Sequence, residues 1–576
     1  MKKSAILTIL FCAIFTIALY AEWSSDPSIN TVVCNLPGED AIPKVVAGPT
    51  GDIYFGYFSS AEGNYNVRLQ RYDSAGNPQW AANGILISNH TAMSWLTDWD
   101  MTVDQDNYAI LTFQDIRNAG NNNIYAYRIS PEGTFMWGLD GLELSNSPDF
   151  DAAPKVTVTS AGNAVIAWSS EAVSRLQKIS PGGTLLWGAT GITISGPNTY
   201  SWPQPFAVEN DNVIVKYYDD SGPAWAPTRH VYAQKYNANG NAVWAQPCAI
   251  STAGAITAWT QILPIVPDEN YGFFIGWYDD RDSNMNADIY VQHVDSSGTC
   301  LFTTNGVIAS TNYGNEHYYP KLAYLEGTQL LYVYWNEMDG DQNYRGIYGQ
   351  KFDMAGTRKW EDAGKMIISL ALTDIYPFGA GHTDTDVIVF YTEGLNDDYV
   401  KAVALDSDGD FIWTGDVVTM CSISSSKVHP EACALTGSQW IVAWEDERSG
   451  RDIYAQNINT DGTLGYIPVA VEPQYSEDAF LLTAIPNPFS TTTTISFNLT
   501  TESTENTENT EIKIYNIKGQ LVRNLPISLF PNPCLGMVEA RWDGKDESGK
   551  EVKCGVYFCT FQSGKELYVQ KVVLMR

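Results

Sequence analysis

The stretch from Trp440 to Gln456 decides the fold, and it reads Trp-Ile-Val-Ala-Trp-Glu-Asp-Glu-Arg-Ser-Gly-Arg-Asp-Ile-Tyr-Ala-Gln. The side chains at the end of this stretch alternate between two faces, as in a β-strand: Ile453 and Ala455 lie on one face, and Tyr454 and Gln456 lie on the other. The same strand recurs along the chain as Ile124-Tyr-Ala-Tyr127, Val231-Tyr-Ala-Gln234, Ile289-Tyr-Val-Gln292 and Ile347-Tyr-Gly-Gln350. The sequence therefore contains an internal repeat.

Each copy holds four short strands in about 50 residues, a pattern typical of β-propeller blades. The second strand ends in an aromatic residue: Tyr57, Phe113, Trp168, Tyr217, Trp277, Trp335, Phe390 and Trp444. An aromatic anchor opens the fourth strand: Trp80, Trp137, Trp187, Trp244, Phe302, Trp360 and Trp413. We predict an all-β protein with an eight-bladed propeller over residues 22–465. Copies three and seven match least well, so seven blades is the alternative.

The eighth copy ends at Gly465, before its aromatic anchor. The missing piece appears at the other end of the chain, where Trp23 to Cys34 matches the strand that closes the other copies. We therefore expect the N-terminal segment to complete the last blade, which closes the ring and removes an exposed sheet edge.

The first 21 residues read as a signal peptide. Lys2 and Lys3 precede an uncharged apolar stretch from Ala5 to Ala21, and polar sequence follows. No later segment has the roughly 18 apolar residues of a transmembrane helix, so no transmembrane span is predicted. The eight cysteines outside the signal peptide are too sparse for a disulfide scaffold. Whether they form disulfides or remain free thiols stays open.

Acidic residues outnumber basic ones 66 to 34, which gives a formal charge of -32. Such a field repels nucleic acid and anionic lipid surfaces, so neither is an expected partner. The sequence has no recognisable catalytic, nucleotide-binding or metal-binding motif. No cofactor, no metal site and no catalytic residue is predicted, although propeller sites assembled from distant loops keep an enzymatic role open.

After Gly465 the repeat stops. Residues 466–484 read as a linker with several acids and prolines, and 485–576 alternate as a set of short strands. About 90 residues of this kind suit a small immunoglobulin-like β-sandwich. The chain thus divides into a signal peptide (1–21), a propeller (22–465), a linker (466–484) and a C-terminal domain (485–576).

Five ordered motifs in the last 90 residues carry a family resemblance. They are Ile485-Pro-Asn-Pro-Phe-Ser490, Ile514-Tyr-Asn-Ile-Lys-Gly519, Trp542-Asp-Gly-Lys-Asp-Glu-Ser-Gly549, Gly555-Val-Tyr-Phe558 and Lys571-Val-Val-Leu-Met-Arg576. This segment resembles the type A C-terminal sorting domains of type IX secretion substrates, and is also similar to the immunoglobulin-like domain of flagellar hook-capping proteins.

The resemblance implies that the type IX secretion machinery is a partner and that the protein is secreted or held at the outer cell surface. It marks the following residues as the sorting motif: Pro486, Asn487, Pro488, Gly519, Trp542, Asp543, Gly544, Gly549, Gly555, Tyr557 and Lys571. It says nothing about the propeller.

The loops that join one blade to the next are rich in aromatic residues. In a propeller these loops share one face with the loops between second and third strands, so aromatic side chains there suit stacking on sugar rings. The candidate ligand-binding residues are Trp95, Trp99, Tyr200, Trp202, Trp259, Tyr318, Tyr319 and Tyr376. The alternative is that several of them pack between blades.

Two acidic patterns have structural interpretations. Asp115-Ile-Arg117, Asp279-Asp-Arg281 and Asp446-Glu-Arg448 follow the second strand of three copies, which favours a structural Asp–Arg clasp over a binding site. Asp406-Ser-Asp-Gly-Asp410 resembles part of a calcium loop but occupies a hairpin-turn position. We interpret it as a turn.

The leading hypothesis is a secreted or cell-surface, non-catalytic binding protein whose propeller presents a ligand-binding face, with an extracellular polysaccharide as ligand. The first alternative is a secreted hydrolase or lyase that acts on polysaccharides. The second is a structural surface or adhesion component.

Overall fold

The structure is a computed structural model that describes residues 22–575, except 93–98, 119, 224, 257–261, 285, 396–397, 436–438, 468–482, 499–511, 526–527 and 530–536, and 564–565. The chain divides into two compact units, Met1–Ile467 and Pro468–Arg576. The predicted signal peptide lies outside the described residues.

The first unit consists of four-stranded antiparallel sheets, one for each copy of the repeat. Blade 1 has strands Asp40–Ala47, Ile53–Ser59, Asn66–Tyr72 and Ile85–Ser88. Blade 2 has Asp100–Val103, Ala109–Asn118, Asn121–Ile129 and Leu142–Glu143. Blade 3 has Asp151–Val158, Ala164–Ser170, Val173–Ile179 and Ile192–Ile194. Blade 4 has Thr199–Ala207, Val213–Ser221, Thr228–Tyr236 and Cys248–Gly254.

Blades 5 to 8 follow the same order. Blade 5 has Ile265–Pro267, Phe273–Asp279, Asp288–Val294 and Val307–Ile308. Blade 6 has Asn315–Leu325, Leu330–Asp339, Arg345–Phe352 and Lys365–Ala371, with a 3-10 turn at Glu326–Thr328. Blade 7 has Asp374–His382, Val387–Gly394, Asp398–Leu405 and Val417–Ser425. Blade 8 has Lys427–Leu435, Gln439–Asp446 and Asp452–Asn459, and its fourth strand is Thr31–Cys34.

The predicted eight-bladed all-β propeller is confirmed, and the seven-bladed alternative was wrong. First strands of neighbouring blades contact one another, which places them at the centre of the ring. The middle strands are buried on both faces, because side chains on one face meet the preceding blade and those on the other meet the next. The hydrophobic core therefore consists of layers between blades.

The predicted tryptophan anchors connect each blade to the following one. In five of them the indole Nε1–H donates to a carbonyl in the turn after the third strand of the next blade: Trp80 to Pro131, Trp137 to Pro181, Trp187 to Ala238, Trp244 to Ser296 and Trp413 to Thr460. A glycine makes room for the ring, since a Cβ on Gly298 would lie 2.6 Å from Trp244. The repeat thus encodes the contact between blades.

The N-terminal segment closes the ring. Thr31 pairs with Ala455 and Val32 with Tyr454, so the last blade contains both ends of the propeller sequence. Trp23, which is only 3% exposed, donates its Nε1–H to the Ser74 carbonyl of blade 1 at 3.2 Å. This contact reproduces the anchor of the other blades and confirms the predicted closure.

The Asp–Arg clasp is also confirmed. Asp115, Asp279 and Asp446 accept hydrogen bonds from Arg117, Arg281 and Arg448, and each Asp is buried. Each guanidinium covers the tyrosine of the neighbouring Ile-Tyr strand, 3.4 to 4.0 Å from the ring centroid. In each case the Asp, the Arg and the Tyr belong to one blade, which supports a structural role.

The second unit contains two four-stranded sheets. One has strands Thr483–Ile485, Thr493–Asn498, Met537–Trp542 and Ser528–Leu529. The other has Leu521–Leu525, Ile512–Asn516, Gly555–Ser563 and Glu566–Leu574. Ile495 and Trp542 of the first sheet share a core with Ile514 and Val572 of the second, which makes the unit a sandwich. Its immunoglobulin-like class stays a prediction.

Candidate functional site

A β-bulge shapes the start of the first strand in five blades. In each, a residue directly before proline has positive φ, between 49° and 55°, and the strand register shifts there. These residues are Ile42, Ala153, Trp202, Tyr319 and His429. A bulge re-aims the side chain it carries. The equivalent place in blades 1, 3, 4, 6 and 8 therefore holds chemically different side chains around the centre of the ring.

In blades 1, 3 and 4, the preceding blade fixes the bulge backbone. The Ile42 N–H donates to Glu445 Oε1 at 2.6 Å, the Ala153 N–H to Gln114 Oε1 at 3.0 Å, and the Trp202 N–H to Ser169 Oγ at 2.8 Å. The polar residue at the end of the second strand thus anchors the next blade. The bulge side chain takes no part in this bond and is open to variation.

Four tyrosines from three consecutive blades meet at this end of the strands. The Tyr278 ring lies 5.0 Å from Tyr318 and 6.0 Å from Tyr319, between centroids, and Tyr319 lies 6.0 Å from Tyr376. Tyr319 is 48% exposed, and the other three are half-buried. We call Tyr278, Tyr318, Tyr319 and Tyr376 the tyrosine cluster. Its edge-to-face contacts hold an exposed ring in a fixed position.

Charged and polar groups border the tyrosine cluster. The Tyr318 hydroxyl and Gln342 Nε2 both donate to the buried Glu316 carboxylate. Arg345 forms an ion pair with Asp374 at 2.7 Å, and its guanidinium lies 5.8 Å from the Tyr376 ring. Burial, followed by the hydrogen bond to Glu316, raises the pKa of Tyr318, so its hydroxyl stays protonated at neutral pH. The site offers aromatic faces together with hydrogen-bond donors and acceptors.

The structure brings together three of the eight predicted ligand-binding residues: Tyr318, Tyr319 and Tyr376. Trp95 and Trp259 lie outside the described residues. Tyr200 is half-buried and packs 5.9 Å from Tyr217. Trp202 is half-buried in a crevice of blades 3 and 4 that Lys155 and Gln204 also line. These two stay candidates at a different place on the ring.

The assignment of Trp99 to the ligand-binding face was wrong. Its side chain is 1% exposed, packs 5.4 Å from Phe58 in the layer between blades 1 and 2, and donates Nε1–H to the Ile42 carbonyl at 3.0 Å. A ring held there cannot stack on a ligand. The packing alternative is correct for this residue.

Two residues of this end were missed from sequence. Tyr278 follows Trp277 within a strand, so alternation alone turns it away from the buried tryptophan.

The second missed residue, His429, occupies the bulge of blade 8. Its Nδ1 lies 2.6 Å from Oε1 of the 1%-exposed Glu445 side chain, while its own side chain is 57% exposed. Since a carboxylate only accepts, Nδ1 carries the proton and Nε2 is the basic nitrogen of the neutral ring.

A cavity of about 360 Å³ lies among blades 5 to 8, towards the opposite ends of their first strands. Small and apolar residues dominate its lining: Val266, Leu322, Ala380, Phe390, Ala432 and Trp440. Within the described ranges, no group of three or more His, Cys, Asp or Glu residues is arranged to hold a metal ion.

In the second unit, the Pro-Asn-Pro motif secures the final strand. Asn487 Nδ2 donates to the Lys571 carbonyl at 2.7 Å, and its Oδ1 accepts the Val573 N–H at 2.8 Å. Asn487 stands between Pro486 and Pro488, which have no N–H to offer. The motif thus attaches the start of the domain to its last strand.

The other motif residues build the core and the turns. Trp542 is fully buried, lies 5.0 Å from the Tyr557 ring, and donates to the Lys545 carbonyl at 3.0 Å. Asp543 pairs with Arg523 at 2.6 Å. The motif glycines have positive φ at turns or strand starts: Gly519 (72°), Gly544 (69°), Gly549 (79°) and Gly555 (152°). These residues have clear structural roles in the domain.

A family model described as a secretion system C-terminal sorting domain matches residues 483–575. This segment is a type IX sorting domain. The protein is therefore exported and is either secreted or attached to the cell surface. No helix in the described part of the chain is long and apolar enough to cross a membrane.

Solved structures give matches at low sequence identity. The Dos1 propeller is 11% identical with a TM-score of 0.40, and covers 74% of this chain and 94% of its own. The polysaccharide lyase Uly1 is 11% identical with a TM-score of 0.37, covering 77% and 94%. PorZ, a surface component of the type IX secretion system of Porphyromonas gingivalis, is 10% identical with a TM-score of 0.22, covering 94% and 100%. No curated protein matches the chain.

Proposed function

We propose that this exported propeller is a non-catalytic binding protein whose ligand is an extracellular polysaccharide. The observation that carries this proposal is the tyrosine cluster, in which three consecutive blades present an exposed, braced aromatic ring beside hydrogen-bonding groups. Aromatic faces stack on the apolar faces of sugar rings, and neighbouring polar groups bond to the hydroxyls. The sorting domain would then serve as the address and the propeller as the binding module.

The charge of the protein narrows the ligand class. With a formal charge of -32, the surface repels polyanions, and the Glu316 and Asp374 carboxylates lie beside the cluster. Arg345 is paired with Asp374. A neutral polysaccharide is therefore the expected ligand.

Glycan-array screening of the full chain, followed by calorimetry with the best oligosaccharide, tests this proposal. We expect Tyr319→Ala combined with Tyr376→Ala to weaken binding by roughly 1–3 kcal/mol, which is about fivefold to 150-fold in Kd. Tyr271→Ala is the matched control, because Tyr271 is 53% exposed in the turn at the opposite ends of the blade 5 strands. Loss of affinity in the control alone, or no binding to any neutral glycan, would overturn the proposal.

A second candidate function is hydrolysis or elimination of a polysaccharide, and the His429–Glu445 pair favours it. An exposed imidazole whose Nδ1–H is held by a buried carboxylate is oriented to accept a proton at Nε2. Reducing-end and ultraviolet assays on bound polysaccharides would detect either reaction. Products that disappear in His429→Ala would replace the binding proposal by an enzymatic one. Absence of both binding and products would favour a structural or adhesion component.

We further propose that the two units work independently, with the sorting domain absent from the binding site. A chain that ends at Ile467 keeps all eight blades, since Trp23 to Cys34 and Val428 to Gly465 remain. It should fold and retain affinity but stay in the periplasm of a host that has the type IX system. Normal secretion of this truncated chain would contradict the role given to the sorting domain.

A further inference from the structure

Two cysteines from neighbouring blades lie against each other. Cys248 begins the fourth strand of blade 4, and Cys300 pairs with Val294 in the turn that precedes the fourth strand of blade 5. Their Sγ atoms are 3.5 Å apart, although 52 residues separate them in the chain. Cys248 is 6% exposed, and Cys300 is half-buried.

The backbone on both sides fixes this contact. Trp244, four residues before Cys248, packs on Gly298 and donates Nε1–H to the Ser296 carbonyl at 3.1 Å, both in the turn that contains Cys300. Cys300 Sγ is also 3.5 Å from the Ala249 carbonyl. A disulfide has an Sγ–Sγ distance of about 2.05 Å, so the bond would form if the two sulfur atoms approached by about 1.5 Å.

We propose that Cys248 and Cys300 form a disulfide that joins blades 4 and 5 in the exported protein. Export carries the protein out of the reducing cytoplasm, and disulfides persist in the oxidising compartments beyond it. The bond would link two adjacent blades at the same place as the Trp244 anchor. It is independent of the ligand-binding function.

The two thiols have different parts in the reaction. Cys300 is half-buried whereas Cys248 is 6% exposed, so Cys300 is the more accessible thiol and reacts first. Its thiolate attacks a sulfur of an external disulfide, R–S–S–R, and releases one thiolate that takes up a proton. Cys248 then loses its proton and attacks Cys300 Sγ, which releases the second R–SH. The two cysteines are oxidised and the external disulfide is reduced to two thiols.

Mass spectrometry of the secreted protein tests the bond. The protein is purified without reductant, alkylated after denaturation, and digested. We expect one linked pair of peptides that contains Cys248 and Cys300, whereas Cys34 and Cys421, which are buried in other blades, carry the alkyl label. Alkylation of both Cys248 and Cys300, or linkage of either to another cysteine, would overturn the proposal.

Thermal unfolding supplies a second measurement. Cys248→Ser, Cys300→Ser and the double variant should each lower Tm by roughly 2–6 °C to the same value, because either substitution removes the whole bond. Dithiothreitol should lower Tm of the natural protein by the same amount and leave the double variant unchanged. A natural protein whose Tm does not respond to reductant, or single variants that add up in the double variant, would contradict a disulfide.

Discussion

Two sets of aromatic residues in the propeller differ in one respect: one set repeats and the other does not. The anchors Trp23, Trp80, Trp137, Trp187, Trp244 and Trp413 all donate to the turn of the next blade. Within the part of the propeller that the structure describes, the tyrosine cluster occurs once, in blades 5 to 7, and keeps Tyr319 exposed. The aromatic residues that repeat in the blades make the contacts that build the ring. The aromatic residues that do not repeat are free to serve ligand binding.

The repeated set should dominate stability, and the sharpest case is the N-terminal segment. Deletion of residues 23–34 removes Trp23, Val33 and Cys34 from the core and exposes the edge of the last blade. Three buried side chains correspond to about 5 kcal/mol or more. We expect Tm to fall by roughly 10 °C or more, or the ring to lose cooperative unfolding.

The matched control is an equal deletion in the polar segment 500–511, a low-complexity stretch of Thr, Glu and Asn. It should change the melting of the propeller little. Equal effects of the two deletions would contradict ring closure by the N-terminal segment.

A variation within the repeated set gives a pH-dependent effect. In blade 6, Trp335 donates to Glu337 at 2.7 Å as Trp277 does to Asp279 at 2.8 Å, but the cation is His317 instead of arginine. Burial alone would lower the pKa of His317, but the Asp288 carboxylate, 2.9 Å from Nδ1, and the Glu337 carboxylate, 3.1 Å from Nε2, outweigh it and raise the pKa to about 9.

Because this pKa is raised above its usual 6.5, the stabilisation is complete below about pH 6.5 and is lost as pH rises through 9. The free energy of unfolding should fall by about 3 kcal/mol across this window. Urea denaturation at pH 6.5 and 9 measures it. The His317→Gln variant should have a lower free energy of unfolding than the natural protein at pH 6.5. It should also lose most of the difference in that free energy between pH 6.5 and pH 9. If the pH dependence of the variant equals that of the natural protein, other groups cause it.

The smallest expected effect is the contribution of the indole hydrogen bond to stability, as distinct from the packing of the anchor ring. Trp137 donates to Pro181 at 3.0 Å, whereas the buried Nε1 of Trp360 has no hydrogen-bond partner. Blade 5 already uses Phe302 at this position, so a phenyl ring fits. Trp137→Phe should destabilise the protein by about 1 kcal/mol more than Trp360→Phe in urea denaturation. Equal costs would mean that the indole hydrogen bond contributes nothing measurable.

Sequence patterns predicted the repeated parts of the molecule well. The spacing of the Ile-Tyr strands and tryptophan anchors predicted eight blades, and the Trp23 to Cys34 match predicted the closure. The pairing of Asp279 with Arg281 followed from the fixed geometry of guanidinium and carboxylate. All of these contacts recur, so the sequence motif behind each of them appears in several blades and can be recognised by comparing the copies.

The candidate site was predicted less completely, because its residues do not recur in the other blades and cannot be recognised by comparing the copies of the repeat. Trp99 and Tyr319 look alike as aromatics in loops between blades, yet packing against Phe58 buries the first, and the bulge leaves the second exposed. Tyr278 lies within a strand and was missed for that reason. Exposure depends on the neighbouring blade, which is distant in sequence.

The most direct test of the binding proposal is a crystal structure of the full chain with the oligosaccharide chosen by the glycan array. We expect a sugar ring in van der Waals contact with the face of Tyr319, bordered by Tyr318 and Tyr376. Occupation of the crevice beside Trp202, or of the cavity lined by Leu322, Phe390 and Trp440, would contradict the tyrosine cluster as the binding site.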